Sequence, residues 1–251
     1  MQIEQETPDV ESSTPQYAQR FSGPVGEYFL DIQQSAIMQL LGQHDTVNVL
    51  DIGGGHAQLT PFLVHSGATV TVLGSDSSGR RQLDEVLGHE EYTYQVGNLL
   101  DLPFADQTFD VVIAIRMLPH LVNWERFIME MCRVAKTAVI VDYPDKRSVN
   151  YFSDALFAAK KKIELNTRPY KCFGTRELEL PFEQAGFIPD ETFRQFSLPM
   201  ALHRGVGNRK FSATLEGIFS AIGVRRLFGS PAVKKFTRSN LQTDVAHASV
   251  A

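Results

Sequence analysis

Three consecutive glycines, Gly53, Gly54 and Gly55, follow Asp51 in the stretch V-N-V-L-D-I-G-G-G-H-A-Q-L at residues 47–59. Backbone without Cβ can take positive φ and lets a ligand approach closely, while the free N–H groups of a following helix can face the ligand's charge. That is the chemistry of a nucleoside-cofactor site. Asp76 lies 21 residues beyond Gly55. In a βαβ unit an acid at about that distance stands at the end of the second strand, where its carboxylate can accept both ribose hydroxyls. Asp76 is therefore a ribose candidate, although Asp76, Ser77 and Ser78 are equally suited to capping a helix. Tyr17, Arg20 and Phe21 lie upstream, where they could fold over a cofactor or anchor the N-terminal tail. Cys132 and Cys172 are too few for a disulfide framework or a thiolate metal cage, so no metal is expected.

The surrounding pattern supplies the elements that must position these residues. Short β-rich runs at 47–52, 69–73, 92–96, 109–115 and 137–143 alternate with helical spacing at 58–66, 79–87 and 124–135. The fourth run is almost wholly apolar, as a central parallel strand covered on both faces must be. Such alternation predicts an α/β, Rossmann-like, doubly wound parallel sheet. Ahead of it, Phe29, Ile32, Ala36 and Leu40 predict an amphipathic helix over 26–42. With 251 residues and 43% hydrophobic content, one domain over 16–251 is expected. It divides into a cap helix at 16–46, a cofactor-binding core at 47–144, and acceptor-side insertions with the last strands at 145–251. Residues 1–15, rich in Thr, Pro, Ser, Glu and Gln, read as a disordered tail. No long apolar run or basic-then-apolar leader occurs, which predicts a cytoplasmic protein without stable membrane insertion.

Three blocks carry a resemblance: V-L-D-I-G-G-G-H-A-Q-L, then D-L-P-F-A-D-Q-T-F-D-V-V at 101–112, then M-C-R-V-A-K-T-A-V-I-V-D-Y-P at 131–144. Together they resemble the class I S-adenosylmethionine-dependent methyltransferases, in particular the small-molecule group typified by quinone-biosynthesis methyltransferases. The resemblance implies a seven-stranded sheet whose last strand is antiparallel and lies between strands five and six. It also implies S-adenosylmethionine as cofactor, with S-adenosylhomocysteine as product. Asp51, Gly53, Gly54 and Gly55 would shape the pocket for the methionine part, and Asp76 with Ser77 would meet the ribose. Asn98 would face the adenine amino group and Leu99 its ring, while Arg116 and Met117 would line the sulfonium side. Two departures stand out: Ala57 replaces the third motif glycine, and Asp76 falls about two residues later than the family's acid, after Gly74 and Ser75.

Methyl transfer is an in-line attack for which alignment and a dry pocket supply much of the rate. If the acceptor is a hydroxyl, a general base helps. His120, on the loop after strand four, is the first candidate, His203 the second, and Tyr143 a further lining residue. A helix over 148–164 is expected to cover the site, and an apolar face of Phe211, Leu215, Ile218, Phe219 and Ile222 is expected to be core. The segment 204–238 carries eight basic residues against one acid, Glu216, in a chain of net charge −5. It could face an anionic acceptor or simply solvent. The expected partner is a small-molecule acceptor presenting an O, N or C nucleophile. A cofactor-binding regulatory module without turnover is the alternative, with lipid or RNA methylation behind it.

Overall fold

The structure, a computed structural model, describes residues 5–42, 47–88, 91–148 and 170–239. Seven strands form one sheet in the order β3-β2-β1-β4-β5-β7-β6. They are β1 (Asn48–Ile52), β2 (Thr69–Gly74), β3 (Thr93–Val96), β4 (Phe109–Ala114), β5 (Ala135–Tyr143), β6 (Phe187–Arg194) and β7 (Ala232–Arg238). β1 to β5 pair in parallel, and β7 runs antiparallel between β5 and β6. This is the mostly parallel Rossmann-like sheet that the alternation and the resemblance imply. The strand order reverses at β1, and the crevice above the carboxyl ends of β1 and β4 is where such sheets bind ligands.

Each face of the sheet carries its own core. One layer packs Trp124, Phe127, Ile128 and Met131 of the helix Trp124–Val134 against Leu50, Ile52, Val112 and Val139. The other packs Ala36, Ile37 and Leu40 of the helix Gly23–Leu41 against Val49, Val70, Ile113 and Ile140. The inner strands are buried on both faces, which explains their unbroken apolar runs. Two of the blocks that carry the resemblance interlock. Arg133 donates to the carbonyls of Leu102 and Phe104 at 2.9 and 2.8 Å, and Glu130 accepts from the Leu102 N–H at 2.8 Å. The loop between β3 and β4 is thereby fixed.

Three expectations are corrected. Residues 8–12 are not a structureless tail: Pro8–Ser12 is a helix with Asp9, Ser12 and Ser13 buried. This segment docks through polar contacts rather than an apolar stripe, so hydrophobic periodicity gave no sign of it. After the glycines the chain makes one 3-10 turn, Gly54–His56, and Ala57 takes a left-handed φ of 54°. The helix therefore opens only at Thr60 (Thr60–His65), not at Gln58. In the helix Arg209–Ala221 only part of the expected core face is inward: Leu215 and Phe219 are half-buried, whereas Phe211 and Ile218 are 53% and 54% exposed. Its fully buried positions are Ser212 and Glu216, and the Glu216 carboxylate accepts from the Ser197 N–H. The helix expected over 148–164 falls, from residue 149 on, outside the described residues.

Candidate cofactor and active site

The glycine turn is sterically specified. Gly53 has φ 78°, and its N–H donates to the Leu73 carbonyl at 2.8 Å, tying the turn to the end of β2. A Cβ on Gly53 would stand 2.5 Å from the Met117 sulfur, and one on Gly54 would stand 2.3 Å from Asp51 Oδ2. Neither position tolerates a side chain in place. Gly55 lies against Gly79 on the helix Ser78–Val86, where a Cβ would come within 2.7 Å of the Gly79 Cα. Asp51, at the heart of the turn, is 2% exposed and accepts the Thr60 hydroxyl at 2.7 Å. Burial pushes its carboxyl up to about 6, against the Thr60 hydrogen bond and the charge of Arg116.

Arg116 leaves β4 with a left-handed φ of 63°, a conformation that a non-glycine residue holds only when its surroundings impose it. Its N–H donates to Asp142 Oδ1 at 2.5 Å, and its guanidinium lies 4.4 Å from the Phe21 ring centroid and 5.8 Å from that of Tyr17. Nη2 stands 3.3 Å from His56 Nε2, while the Gln58 N–H donates to His56 Nδ1 at 3.2 Å. A neutral imidazole accepts at one nitrogen only, so these two donors compete for one lone pair. Burial, with the Arg116 charge, holds His56 well below the usual histidine range and keeps it neutral. Arg116 Nε and Nη1 are buried and have no hydrogen-bond partner among the described residues. A guanidinium with two buried nitrogens unpaired among the described residues, beside a turn that admits no Cβ, fits a ligand bringing a carboxylate to this corner. Asp142, at the end of β5, is likewise pushed by burial up to about 6.

The remaining cofactor candidates are spread along the same edge. Asp76 is half-buried, and its Oδ1 accepts from the Ser78 N–H at 2.8 Å and the Ser78 hydroxyl at 2.6 Å, capping the helix Ser78–Val86. Ser77 is exposed at the start of that helix. Asn98 Oδ1 accepts from the Leu100 N–H at 2.9 Å, and Leu99 is fully buried in the core beside Leu73 and Met117. Tyr17 is half-buried beside Arg116, and Arg20 is exposed with its guanidinium 5.0 Å from the Tyr17 ring centroid. Asp51, the glycines, Arg116, Met117 and Tyr17 thus converge. Ser77 and Asn98 lie further along the strand ends.

The candidate bases are held differently. His120 ends the 3-10 turn Leu118–His120 after β4, with its ring 5.8 Å from that of Tyr170. His203 is 2% exposed in the helix Met200–Val206, and its Nε2 stands 3.0 Å from Glu216 Oε1. Glu216 also accepts from the backbone N–H groups of Ser197 and Leu198. That pair braces the C-terminal helices. Tyr143 is 1% exposed in the core, its hydroxyl pushed up to about 12 chiefly by burial and then by the charge of Asp145. Cys132 is a buried packing residue whose thiol burial pushes up.

Sequence reasoning missed the N-terminal strap. Glu6 accepts from the N–H groups of Val122 and Asn123 at 2.7 and 2.8 Å, at the start of the helix Trp124–Val134. Asp9 Oδ2 accepts from the Ser75 N–H at 2.7 Å, and Oδ1 accepts the Ser75 hydroxyl at 2.6 Å. Gln5 donates to the Ser75 carbonyl at 3.0 Å. The strap spans from the end of β2 to the loop after β4, across the point where strand order reverses. Two carboxylates in one acidic, Pro-containing segment were its only sequence trace.

Comparison with known proteins bears on the fold that carries these residues. The family described as "Methyltransferase domain" matches residues 50–141. Norajmaline N-methyltransferase of Rauvolfia serpentina is 36% identical over 77 residues, which is 30% of this chain and 26% of that protein. The chain thus spans about a quarter or less of the first curated relatives it matches. Demethylmenaquinone methyltransferase of Tropheryma whipplei (strain Twist) is 26% identical over 191 residues, covering 68% of this chain and 79% of that protein. Magnesium protoporphyrin IX methyltransferase of Synechocystis PCC 6803, crystallised with bound S-adenosylhomocysteine, superposes with a TM-score of 0.62 at 15% identity over 91% of this chain and 97% of that one. A methyltransferase from Aquifex aeolicus described as S-adenosylmethionine-dependent gives 0.56 at 14% identity over 89% and 97%. Residues 50–141 match the methyltransferase-domain family, and the seven-stranded sheet that carries them has the class I S-adenosylmethionine-dependent methyltransferase fold.

Proposed function

We propose that this chain binds S-adenosylmethionine and transfers its methyl group to a small-molecule acceptor with an oxygen, nitrogen or carbon nucleophile. The observation that carries this reading is the Arg116 fork, with Nε and Nη1 buried and unpaired among the described residues, beside a glycine turn that has no room for a side chain. In this reading Arg116 receives the carboxylate of the methionine part. The backbone of Gly53, Gly54 and Gly55, held by Asp51 and Thr60, accommodates the rest of that end. Met117, Tyr17 and Arg20 enclose the reacting side, Asn98 and Leu99 the adenine side, and Ser77 with a carboxylate beside the end of β2 the ribose. When bound, the cofactor supplies a methyl carbon open to in-line displacement. The chain's own part is to align the acceptor, exclude water and hold its proton. His120, on the loop after β4, takes that proton where the acceptor is a hydroxyl or amine.

Calorimetric titration with S-adenosylmethionine, followed by an acceptor screen that reads S-adenosylhomocysteine release, tests the proposal. Binding with turnover supports it. Binding without turnover on any acceptor moves the reading to a regulatory cofactor-binding module, and no binding removes both.

A further inference from the structure

At the end of β2 no acid stands before Asp76. Gly74, which ends the strand, has no side chain, and the Tyr94 hydroxyl lies 2.1 Å from where its Cβ would stand. Asp76 is two residues further on, and its Oδ1 is engaged by both the N–H and the hydroxyl of Ser78. Between them, Ser75 is the residue on which a different carboxylate rests. Asp9, 4% exposed, reaches in from the helix Pro8–Ser12 and takes the Ser75 N–H and hydroxyl, one on each oxygen. Each oxygen keeps a further lone pair. Its helix packs beside the glycine turn, with Ser13 Oγ 2.9 Å from where a Gly55 Cβ would stand.

We propose that Asp9, delivered by the N-terminal helix and seated on Ser75, is the carboxylate that receives the ribose hydroxyls of the cofactor. The inference rests on the cofactor reading above and deepens it: the ribose subsite is built from outside the sheet. Burial raises the Asp9 carboxyl above the ordinary range despite its bonds to Ser75 and to its own backbone N–H. A vicinal diol supplies the two donors that would complete its coordination. Glu6, on the same strap, fixes the other side of the segment at the N-terminus of the helix Trp124–Val134. Donor binding and ordering of the strap are then one event.

The test compares Kd for S-adenosylhomocysteine with that for its 2′-deoxyribose analogue, by calorimetry on the full chain. The wild-type protein should prefer the ribose form by at least about tenfold, the scale of one hydrogen bond to a charged group. Asp9→Asn, which keeps the shape and an acceptor for the Ser75 N–H, should weaken the ribose form and leave the deoxy form nearly unchanged, collapsing the preference. Asp76→Asn should leave the preference in place. Equal weakening of both ligands by Asp9→Asn makes the residue purely structural and overturns the inference, as does a preference that survives Asp9→Asn or disappears in Asp76→Asn. If the wild-type protein binds neither ligand, the cofactor reading itself has failed, and this inference with it.

Discussion

At the scale of single residues, the site concentrates charge where water does not reach. Arg116 is a buried guanidinium whose fork geometry a lysine cannot reproduce. Arg116→Lys is expected to raise the Kd for S-adenosylhomocysteine at least about tenfold while changing thermal stability little, checked by calorimetry and thermal unfolding on the same samples. Asp51 and Asp142 make a pH signature. Each folded-state carboxyl is raised to about 6 from the ordinary 3.8, so between those values the folded protein holds protons that the unfolded chain has released. Stability therefore falls as pH rises from about 4 to 6 and levels off above, each group costing on the order of 3 kcal/mol at neutral pH. Asp142→Asn, whose amide oxygen still accepts the Arg116 N–H, should be more stable than wild type at pH 7 and nearly equal to it at pH 4 in denaturant titrations. His120→Ala is expected to lower kcat about a hundredfold or more on the true acceptor with donor Kd unchanged, the separation that marks a proton-handling role.

At the scale of elements, the turn, the strap and the C-terminal helices differ in how plainly the sequence announced them. The glycine turn was plain because its requirement is steric and local: D-I-G-G-G cannot be replaced without a clash at Met117 or Asp51. The core strands and the helix Trp124–Val134 were plain because burial writes a period of its own. The strap was not. It is held by Gln5, Glu6 and Asp9 through carboxylates and amides on backbone groups far away in sequence, and such contacts leave no periodicity. The helix Arg209–Ala221 showed an apolar face, but the acid buried beside that face, Glu216, is held by His203 and the Ser197 N–H, bonds that hydropathy does not register. Likewise Glu6 holds the start of the helix Trp124–Val134, taking the N–H groups of Val122 and Asn123 and the Asn123 side-chain amide, the last at 2.8 Å. Removing residues 1–13 should leave the far-ultraviolet circular dichroism of the sheet largely intact but weaken donor binding and speed its release, read by stopped-flow. Unchanged release kinetics would show that the strap takes no part in holding the donor.

At the scale of the whole molecule, β7 is what joins the cofactor half of the sheet to its C-terminal part. It pairs with β5 and β6, and Phe236 stacks on Phe182 with ring centroids 3.7 Å apart and planes 6° from parallel. Phe236→Ala should cost about 3–5 kcal/mol in chemical denaturation, the range for emptying a fully buried aromatic site. Beyond β6, the basic helices expose Phe211, Ile218 and Ile222. Among the described residues no helix is long and apolar enough to cross a membrane. The central claim concerns the other end of the sheet, where the glycine turn, Arg116 and the strap meet, and calorimetric titration of S-adenosylmethionine into the full chain tests it most directly. Saturable one-to-one binding is expected, and Gly53→Ala should abolish it, because the new methyl group would stand 2.5 Å from the Met117 sulfur at a φ that alanine resists. Absence of binding to the wild-type chain, or binding that Gly53→Ala leaves untouched, would contradict it.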